Sequence, residues 1–136
     1  MPSYPLCPTV RIGEITRHVA RFLDTVAAEV SGPIRLSGHS AGGHLVTRMI
    51  CTDSPLSEAT AARIDRVLSI SGVHDLRPLL KTQMNEILAL DLAEARAESP
   101  ALLEPHGNAA LTCLVGGDEL PEFRRQNTLL ASAWCG

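Results

Sequence analysis

Apolar and charged positions alternate along the first third of the chain with the period of a helix. Between about residues 13 and 30, apolar side chains recur every three or four residues, from Ile15 to Val30, and charged residues fill the opposite face. This spacing predicts an amphipathic helix with one apolar stripe. The sequence Ser31-Gly32-Pro33 is typical of the end of a helix.

Short apolar runs bounded by glycine or proline predict three buried strands. They cover residues 33–37, 65–72 and 110–115. Further helical patterns occupy about 40–51, at least two pieces between 76 and 97, and 121 to about 134. This alternation of helices and strands is typical of an α/β fold with a parallel sheet core and flanking helices.

The first strand runs directly into the motif Gly38-His39-Ser40-Ala41-Gly42, which is followed by a helix. A Gly-x-Ser-x-Gly sequence between a strand and a helix predicts a nucleophile elbow, in which Ser40 sits on a tight turn with its hydroxyl accessible. We expect Gly38 and Gly42 to allow strand and helix to approach closely because they have no Cβ. The N–H of Ala41 is then directed to the position of a reaction oxyanion.

Acidic residues follow the third predicted strand, as Asp118-Glu119. The carboxyl ends of parallel strands meet at one sheet edge, so these acids are expected on the same side as Ser40. Either carboxylate could orient a histidine that activates the serine. The alternative without a catalytic role is that these acids are solvent-exposed near the start of a helix.

A serine nucleophile needs a base, and the chain has five histidines. His74 follows the second strand at the correct edge and is an open candidate, whereas His106 precedes the third strand at the opposite edge. We expect His18 and His44 to pack on helices, and His39 to be turned away from the pocket. The spacing of His39 and His44 does not match a helical zinc motif, so no metal site is predicted.

Composition narrows the classes of partner. The 136 residues carry a net charge of −3 and only four aromatic side chains, which gives no reason to expect a nucleic acid or a membrane as partner. The four cysteines lack paired short spacing and are interpreted as reduced thiols. No apolar run has the length or flanks of a signal peptide or membrane span. We therefore expect a cytoplasmic protein.

Several segments together resemble the kynurenine formamidase (arylformamidase) relatives of the α/β-hydrolase fold, nearly from end to end. The segments are Tyr4-Pro5-Leu6-Cys7-Pro8-Thr9-Val10, Ser37 to Leu45, Asp75-Leu76-Arg77-Pro78-Leu79-Leu80, Leu90-Asp91, Ser99-Pro100 and Gly116 to Gln126. The elbow alone would fit any esterase of this fold. The Asp-Leu-Arg-Pro-Leu segment and the Pro-Glu-Phe-x-x-Gln segment are more particular.

The resemblance implies a serine hydrolase without metal or organic cofactor that acts on a small-molecule substrate. The family's reference reaction cleaves N-formylkynurenine to kynurenine and formate in tryptophan catabolism. By resemblance Ser40 is the nucleophile and Glu119 the acid, with adjacent Asp118 as an alternative. Residues 73–97 match the cap-like insertion that lines the substrate pocket. For the oligomeric state, a homodimer is an open alternative to a monomer.

Two features of the family pattern have no counterpart in the sequence. The family carries a His-Gly-Gly-x-Trp motif upstream and a catalytic histidine after the acid, whereas no histidine follows His106 here. Such domains need roughly 200–250 residues. We therefore expect a partial α/β-hydrolase fold, a single incomplete domain over 1–136 that is truncated at both ends and nearly inactive alone. A carboxylesterase for small acyl esters and a non-catalytic truncated paralogue are the alternatives.

Overall fold

The computed structural model describes residues 2–107 and 109–134. Its elements, in chain order, are α1 (Ile12–Glu29), β1 (Ile34–His39), α2 (Ala41–Arg48), α3 (Glu58–Ala61), β2 (Ile64–Ile70), α4 (Asn85–Leu88), α5 (Leu92–Ala97), β3 (Ala110–Leu114) and α6 (Pro121–Ala133). Two 3₁₀ turns, Arg77–Lys81 and Pro100–Leu102, flank α4 and α5. The element order confirms the predicted alternation of helices and strands.

The three strands form one parallel sheet in the order β1-β2-β3. Leu36 pairs with Val67, and Val67 pairs in turn with Leu111, while the pairing of β1 with β2 shifts register between Ile34 and Arg35. Because all three strands run in the same direction, their carboxyl ends lie at one edge. That edge carries Ser40, Ser71 and the segment that contains Glu119.

The main core lies between the sheet and helices α1 and α2. The apolar stripe of α1 supplies Ile15 and Val19, α2 contributes Leu45, and the sheet contributes Val67. Met49, directly after α2, is fully buried in the same cluster. Each such side chain contributes about 1.5–3 kcal/mol relative to leaving it in water, so this packing fixes α2 against the sheet.

A second, smaller core lies beneath the segment between β2 and β3. It joins Ile12 at the start of α1 to Leu76, Leu90 and Ala95. A buried polar cluster borders it: Glu98 accepts hydrogen bonds from Thr16 (2.7 Å) and Arg48 (3.1 Å). These contacts attach the α4–α5 segment to α1 and α2.

Strand β1 and helix α2 differ in length from the prediction. Strand β1 continues to His39 rather than ending at 37, because Gly38 and His39 pair with Ser69 and Ile70 of β2. Helix α2 ends at Arg48 rather than near residue 51. The N–H of Cys51 donates to the carbonyl of Arg48, and a bridge to Pro105 then directs the chain away. The predicted break between residues 76 and 97 is confirmed, since three short helical pieces replace one helix.

Candidate active site

Ser40 lies at the turn between β1 and α2 in a backbone conformation that is costly for a residue with a Cβ. Its φ and ψ angles are 54° and −116°. The turn is held from both sides: the N–H of Ser40 donates to the carbonyl of Ile70 (2.9 Å), and the carbonyl of Ser40 accepts from the N–H of His44 (3.1 Å). This arrangement places the serine at the carboxyl edge of the sheet.

The glycines of the elbow have unequal roles. A Cβ on Gly38 would lie 2.1 Å from the carbonyl oxygen of Gly42, so only glycine fits there. A Cβ on Gly42 would meet nothing within 4 Å, so the prediction that Gly42 is needed for close approach is wrong. The close approach occurs at Gly43, where a Cβ would lie 2.7 Å from Ser69 Oγ and 2.8 Å from the Cα of Gly72.

Two polar groups at the turn have no hydrogen-bond partner among the residues that the structure describes. They are the hydroxyl of Ser40 and the N–H of Ala41, the first residue of α2. Both residues border an open cleft of about 890 Å³ that runs along the free edge of β1. An N–H at a helix start next to an accessible serine has the character of an oxyanion-hole donor.

Glu119 and Asp118 are in different environments. The carboxylate of Glu119 is half-buried, and its Oε1 accepts a hydrogen bond from the hydroxyl of Ser71 at the end of β2. The side chain of Asp118 is exposed and forms no hydrogen bond or ion pair with the described residues. Of the two predicted acids, only Glu119 is held at the sheet edge.

Two hydrogen bonds, joined by the Ile70–Ser71 peptide, connect Ser40 to Glu119. The Ser40 N–H donates to Ile70, the next residue Ser71 donates its N–H to the carbonyl of Leu114 (2.7 Å), and the Ser71 hydroxyl donates to Glu119. The dipeptide Ile70-Ser71 therefore fixes the backbone of the serine on one side and the carboxylate on the other. The elbow, the end of β2 and the loop after β3 form one connected edge.

His74 does not reach Ser40, so the hypothesis that it is the base is wrong. Its side chain is fully buried, and its Nε2 lies 3.2 Å from Ser69 Oγ, while its Nδ1 is buried without a hydrogen-bond partner. Burial, and secondarily the nearby His44, lowers the pKa of His74 to about 4. The side chain is a neutral part of the core.

The side chains of the other histidines also form no hydrogen bond with Ser40. His44 is buried, with its Nε2 donating to the carbonyl of Glu98 (2.6 Å), and burial lowers its pKa. His18 accepts from Arg21, and His106 is exposed before β3. His39 borders the cleft instead of turning away from it, because it is the last residue of the free edge of β1.

A second, smaller hollow of about 240 Å³ adjoins the elbow and is almost entirely apolar. Ala41 borders it from one side, and Ile87 and Leu88 of α4 border it from the other. Tyr4 and Leu6 line both hollows, so the proline-bounded loop at the start of the chain is part of the site. The sequence of this loop carries the family resemblance, but no local sequence signal indicates its position beside Ser40.

Within 2–107 and 109–134, no group of three or more His, Cys, Asp or Glu side chains is arranged to hold a metal ion. Among the same residues, no helix is both long enough and apolar enough to cross a membrane. Cys7, Cys51 and Cys113 are free thiols, while Cys135 lies outside the described residues.

Comparisons with known proteins connect this site to hydrolases. Kynurenine formamidase from Salmo salar is 32% identical over 132 residues, and the one from Danio rerio is 30% identical over 132 residues. The alignments cover 92% of the chain but only 45% of each relative. The chain thus spans about half the length of the curated relatives that it matches. No family model matches the sequence.

Solved structures show the same fold. A proposed thioesterase from Silicibacter sp. TM1040 is 50% identical, with a TM-score of 0.95 over 98% of the chain and 51% of that protein. Esterase 2 from Thermogutta terrifontis, phosphoramylated by tabun, is 19% identical, with a TM-score of 0.59 over 88% of the chain and 46% of that esterase. The predicted resemblance is confirmed: the chain has homologues among the kynurenine formamidases and a partial α/β-hydrolase fold.

Proposed function

We propose that this homologue of the kynurenine formamidases supplies the nucleophile, the oxyanion donor and the acid of a serine hydrolase that cleaves an N-formyl amide. Ser40 is the nucleophile, the N–H of Ala41 is one oxyanion donor, and Glu119 is the acid. The general base is a histidine from outside these 136 residues. The proposed substrate is N-formylkynurenine or a close analogue, and the products are kynurenine and formate.

The hydrogen-bonded edge from Ser40 to Glu119 is the observation that carries this proposal. A strained serine beside an unpartnered helix N–H is the arrangement that acyl transfer requires. Glu119, rather than Asp118, is fixed at the same edge by the hydroxyl of Ser71. Since none of the five histidine side chains is hydrogen-bonded to Ser40, the proposal takes the base from outside these residues.

The reaction proceeds in two balanced steps. The Ser40 oxygen attacks the formyl carbon while the base takes the hydroxyl proton, and the carbonyl oxygen becomes an oxyanion next to the Ala41 N–H. The C–N bond then breaks, and the base returns the proton to the leaving amine. Water attacks the formyl-serine ester in the second step, which releases formate and restores Ser40.

A carboxylesterase that acts on small acyl esters is the second candidate. It is favoured by the names of the two structural neighbours, a proposed thioesterase and an esterase, and by the apolar hollow beside Ala41. The same Ser40 chemistry would then release an alcohol instead of an amine. A third candidate, a non-catalytic paralogue, is favoured because no histidine side chain is hydrogen-bonded to Ser40.

The nucleophile can be tested on the chain itself by supplying the base from solution. A fluorophosphonate probe would be added with and without imidazole, and the modification of Ser40 would be followed by mass spectrometry. A positioned general base accelerates a reaction about 10²–10⁴-fold. Free imidazole should therefore make the labelling of Ser40 roughly tenfold or more faster than labelling without it. Ser40→Ala should show no labelled peptide. Equal labelling rates with and without imidazole would contradict the proposal that Ser40 is an accessible nucleophile at the sheet edge that carries Glu119.

The substrate can be tested on the protein encoded by the complete reading frame. The DNA on both sides of these 136 codons would first be sequenced. A frame with His-Gly-Gly-x-Trp upstream and a histidine after the acid would eliminate the non-catalytic paralogue. Parallel assays of that product with N-formylkynurenine and p-nitrophenyl acetate would then separate a formamidase from an esterase. A preference for the ester would replace the first proposal with the second.

A further inference from the structure

Ser71 occupies an unusual position at the carboxyl edge. It directly follows β2, is 1% exposed and has a φ angle of +48°, a region that glycine adopts freely and other residues rarely adopt. Its N–H donates to the carbonyl of Leu114 (2.7 Å), which completes the pairing of β2 with β3. A glycine could make this backbone contact without strain, so the backbone does not explain a serine here.

The hydroxyl of Ser71 has one partner, the carboxylate of Glu119. Oε1 of Glu119 accepts this bond, and Oε2 forms no hydrogen bond with the described residues. The loop also restrains the glutamate, because the N–H of Glu119 donates to the carbonyl of Gly116 (3.2 Å). One carboxylate oxygen is thus fixed and the other is available.

We propose that Ser71 is a positioning residue that fixes Oε1 of Glu119 so that Oε2 is available to the imidazole of the catalytic base. This inference rests on the proposed function, in which Glu119 is the acid. It explains why the edge selects Glu119 over Asp118: the Ser71 hydroxyl holds Glu119, and no side chain of the described residues holds its neighbour. Without the hydroxyl, the glutamate side chain could rotate away from the edge.

A set of three variants tests this role. Ser71→Gly removes the hydroxyl and fits the positive φ angle, and Ser69→Ala is its matched control. Ser69 is also a fully buried serine of the same strand segment, but its hydroxyl faces His74 rather than Glu119. Glu119→Gln reports on the acid itself. Circular dichroism would establish that each variant retains the fold.

The contact is measured first, by the NMR chemical shift of the Glu119 side-chain carboxyl carbon in the 136-residue chain. We expect the shift to change in Ser71→Gly and to stay unchanged in Ser69→Ala. An unchanged carboxyl shift in Ser71→Gly overturns the inference, whatever the activity of the chain.

The consequence is measured by imidazole-assisted labelling of Ser40 with a fluorophosphonate. A misplaced catalytic group costs up to about 10²-fold, so Ser71→Gly should lower the imidazole-dependent rate about tenfold. Ser69→Ala should match the wild type. If Glu119→Gln lowers the rate but Ser71→Gly does not, the positioning role is wrong and the proposed function stands. If Glu119→Gln has no effect, the acid of the proposed function is wrong.

Discussion

The side-chain amide of Gln126 forms two hydrogen bonds with the backbone of Asp75. Its Oε1 accepts from the Asp75 N–H (2.7 Å), and its Nε2 donates to the Asp75 carbonyl (2.9 Å). Oε1 also accepts from the N–H of His74 (2.8 Å), and Nε2 donates to Glu122 (2.8 Å). Every donor and acceptor of this buried amide is therefore satisfied, and α6 is attached to the chain that leaves β2.

Replacing Gln126 with alanine should lower the free energy of unfolding by about 3 kcal/mol, because two buried N–H groups and a carbonyl lose their partner. Urea unfolding followed by circular dichroism measures this change. Gln83→Ala is the matched control, since Gln83 is exposed and has no side-chain hydrogen bond in the described chain. Equal midpoints for the two variants would show that the amide is not important for stability.

The elbow glycines provide a paired prediction. Gly38→Ala should lower the free energy of unfolding by about 3 kcal/mol, because its Cβ would lie 2.1 Å from a backbone oxygen that cannot move freely. Gly42→Ala should be neutral or stabilising by up to about 1 kcal/mol, since the site is open and alanine favours the helix. The opposite order of the two urea midpoints would contradict the geometry of the turn.

Much of the fold could be predicted because its signals are local. The spacing from Ile15 to Val30 identified α1 to within a residue at each end. The end of β1 could not be predicted, since Gly38 and His39 have little strand preference and are extended only because they pair with β2. The need for glycine at position 43 rather than 42 also depends on a distant contact, with Ser69 and Gly72.

The residues of the candidate site also differ in whether their roles depend on local sequence or on distant contacts. Ser40 could be identified from five adjacent residues, because the elbow is a local turn. The choice between Asp118 and Glu119 could not be made from the loop itself, since it depends on the hydroxyl of Ser71 at the end of another strand. His74 was predicted at the correct edge, but adjacency in sequence did not show that its ring is buried against Ser69.

Removing one partner of the buried ion pair between Arg48 and Glu98 should strongly destabilise the fold. Arg48→Met leaves Glu98 with its carboxylate buried and without a charged partner, so the free energy of unfolding should decrease by about 3–5 kcal/mol. The double variant Arg48→Met/Glu98→Gln should recover a large part of this loss. In the exposed pair with Asp65, Arg35→Met should have little effect. Urea midpoints of the wild type, Arg48→Met, Glu98→Gln, the double variant and Arg35→Met measure the coupling, and a double variant whose loss equals the sum of the two single losses would contradict it.

Relief of the strained turn should stabilise the chain at the expense of its nucleophile. Ser40→Gly permits the observed φ of 54° without a Cβ, so the free energy of unfolding should rise by about 1–2 kcal/mol. Ser40→Ala keeps the Cβ and should not gain this stability, although both variants should lose fluorophosphonate labelling. The thermal midpoints of the two variants make the comparison, and a less stable glycine variant would show that the turn is not strained.

The buried imidazole of His74 should make stability fall in mild acid. Burial lowers the pKa of His74 to about 4 in the folded chain, while an unfolded histidine titrates near its ordinary value of 6.5. Between these values the unfolded chain binds a proton that the folded chain does not, so stability is retained above about pH 6.5 and is lost progressively down to about pH 4. From pH 7 to pH 5 the expected loss is about 2 kcal/mol.

His44, whose pKa is also lowered by burial, contributes in the same direction. His74→Gln should therefore reduce the slope of unfolding free energy against pH without removing it. Urea unfolding at pH 7, 6 and 5 measures the slopes of the variant and the wild type, and identical slopes would mean that His74 is protonated within the fold.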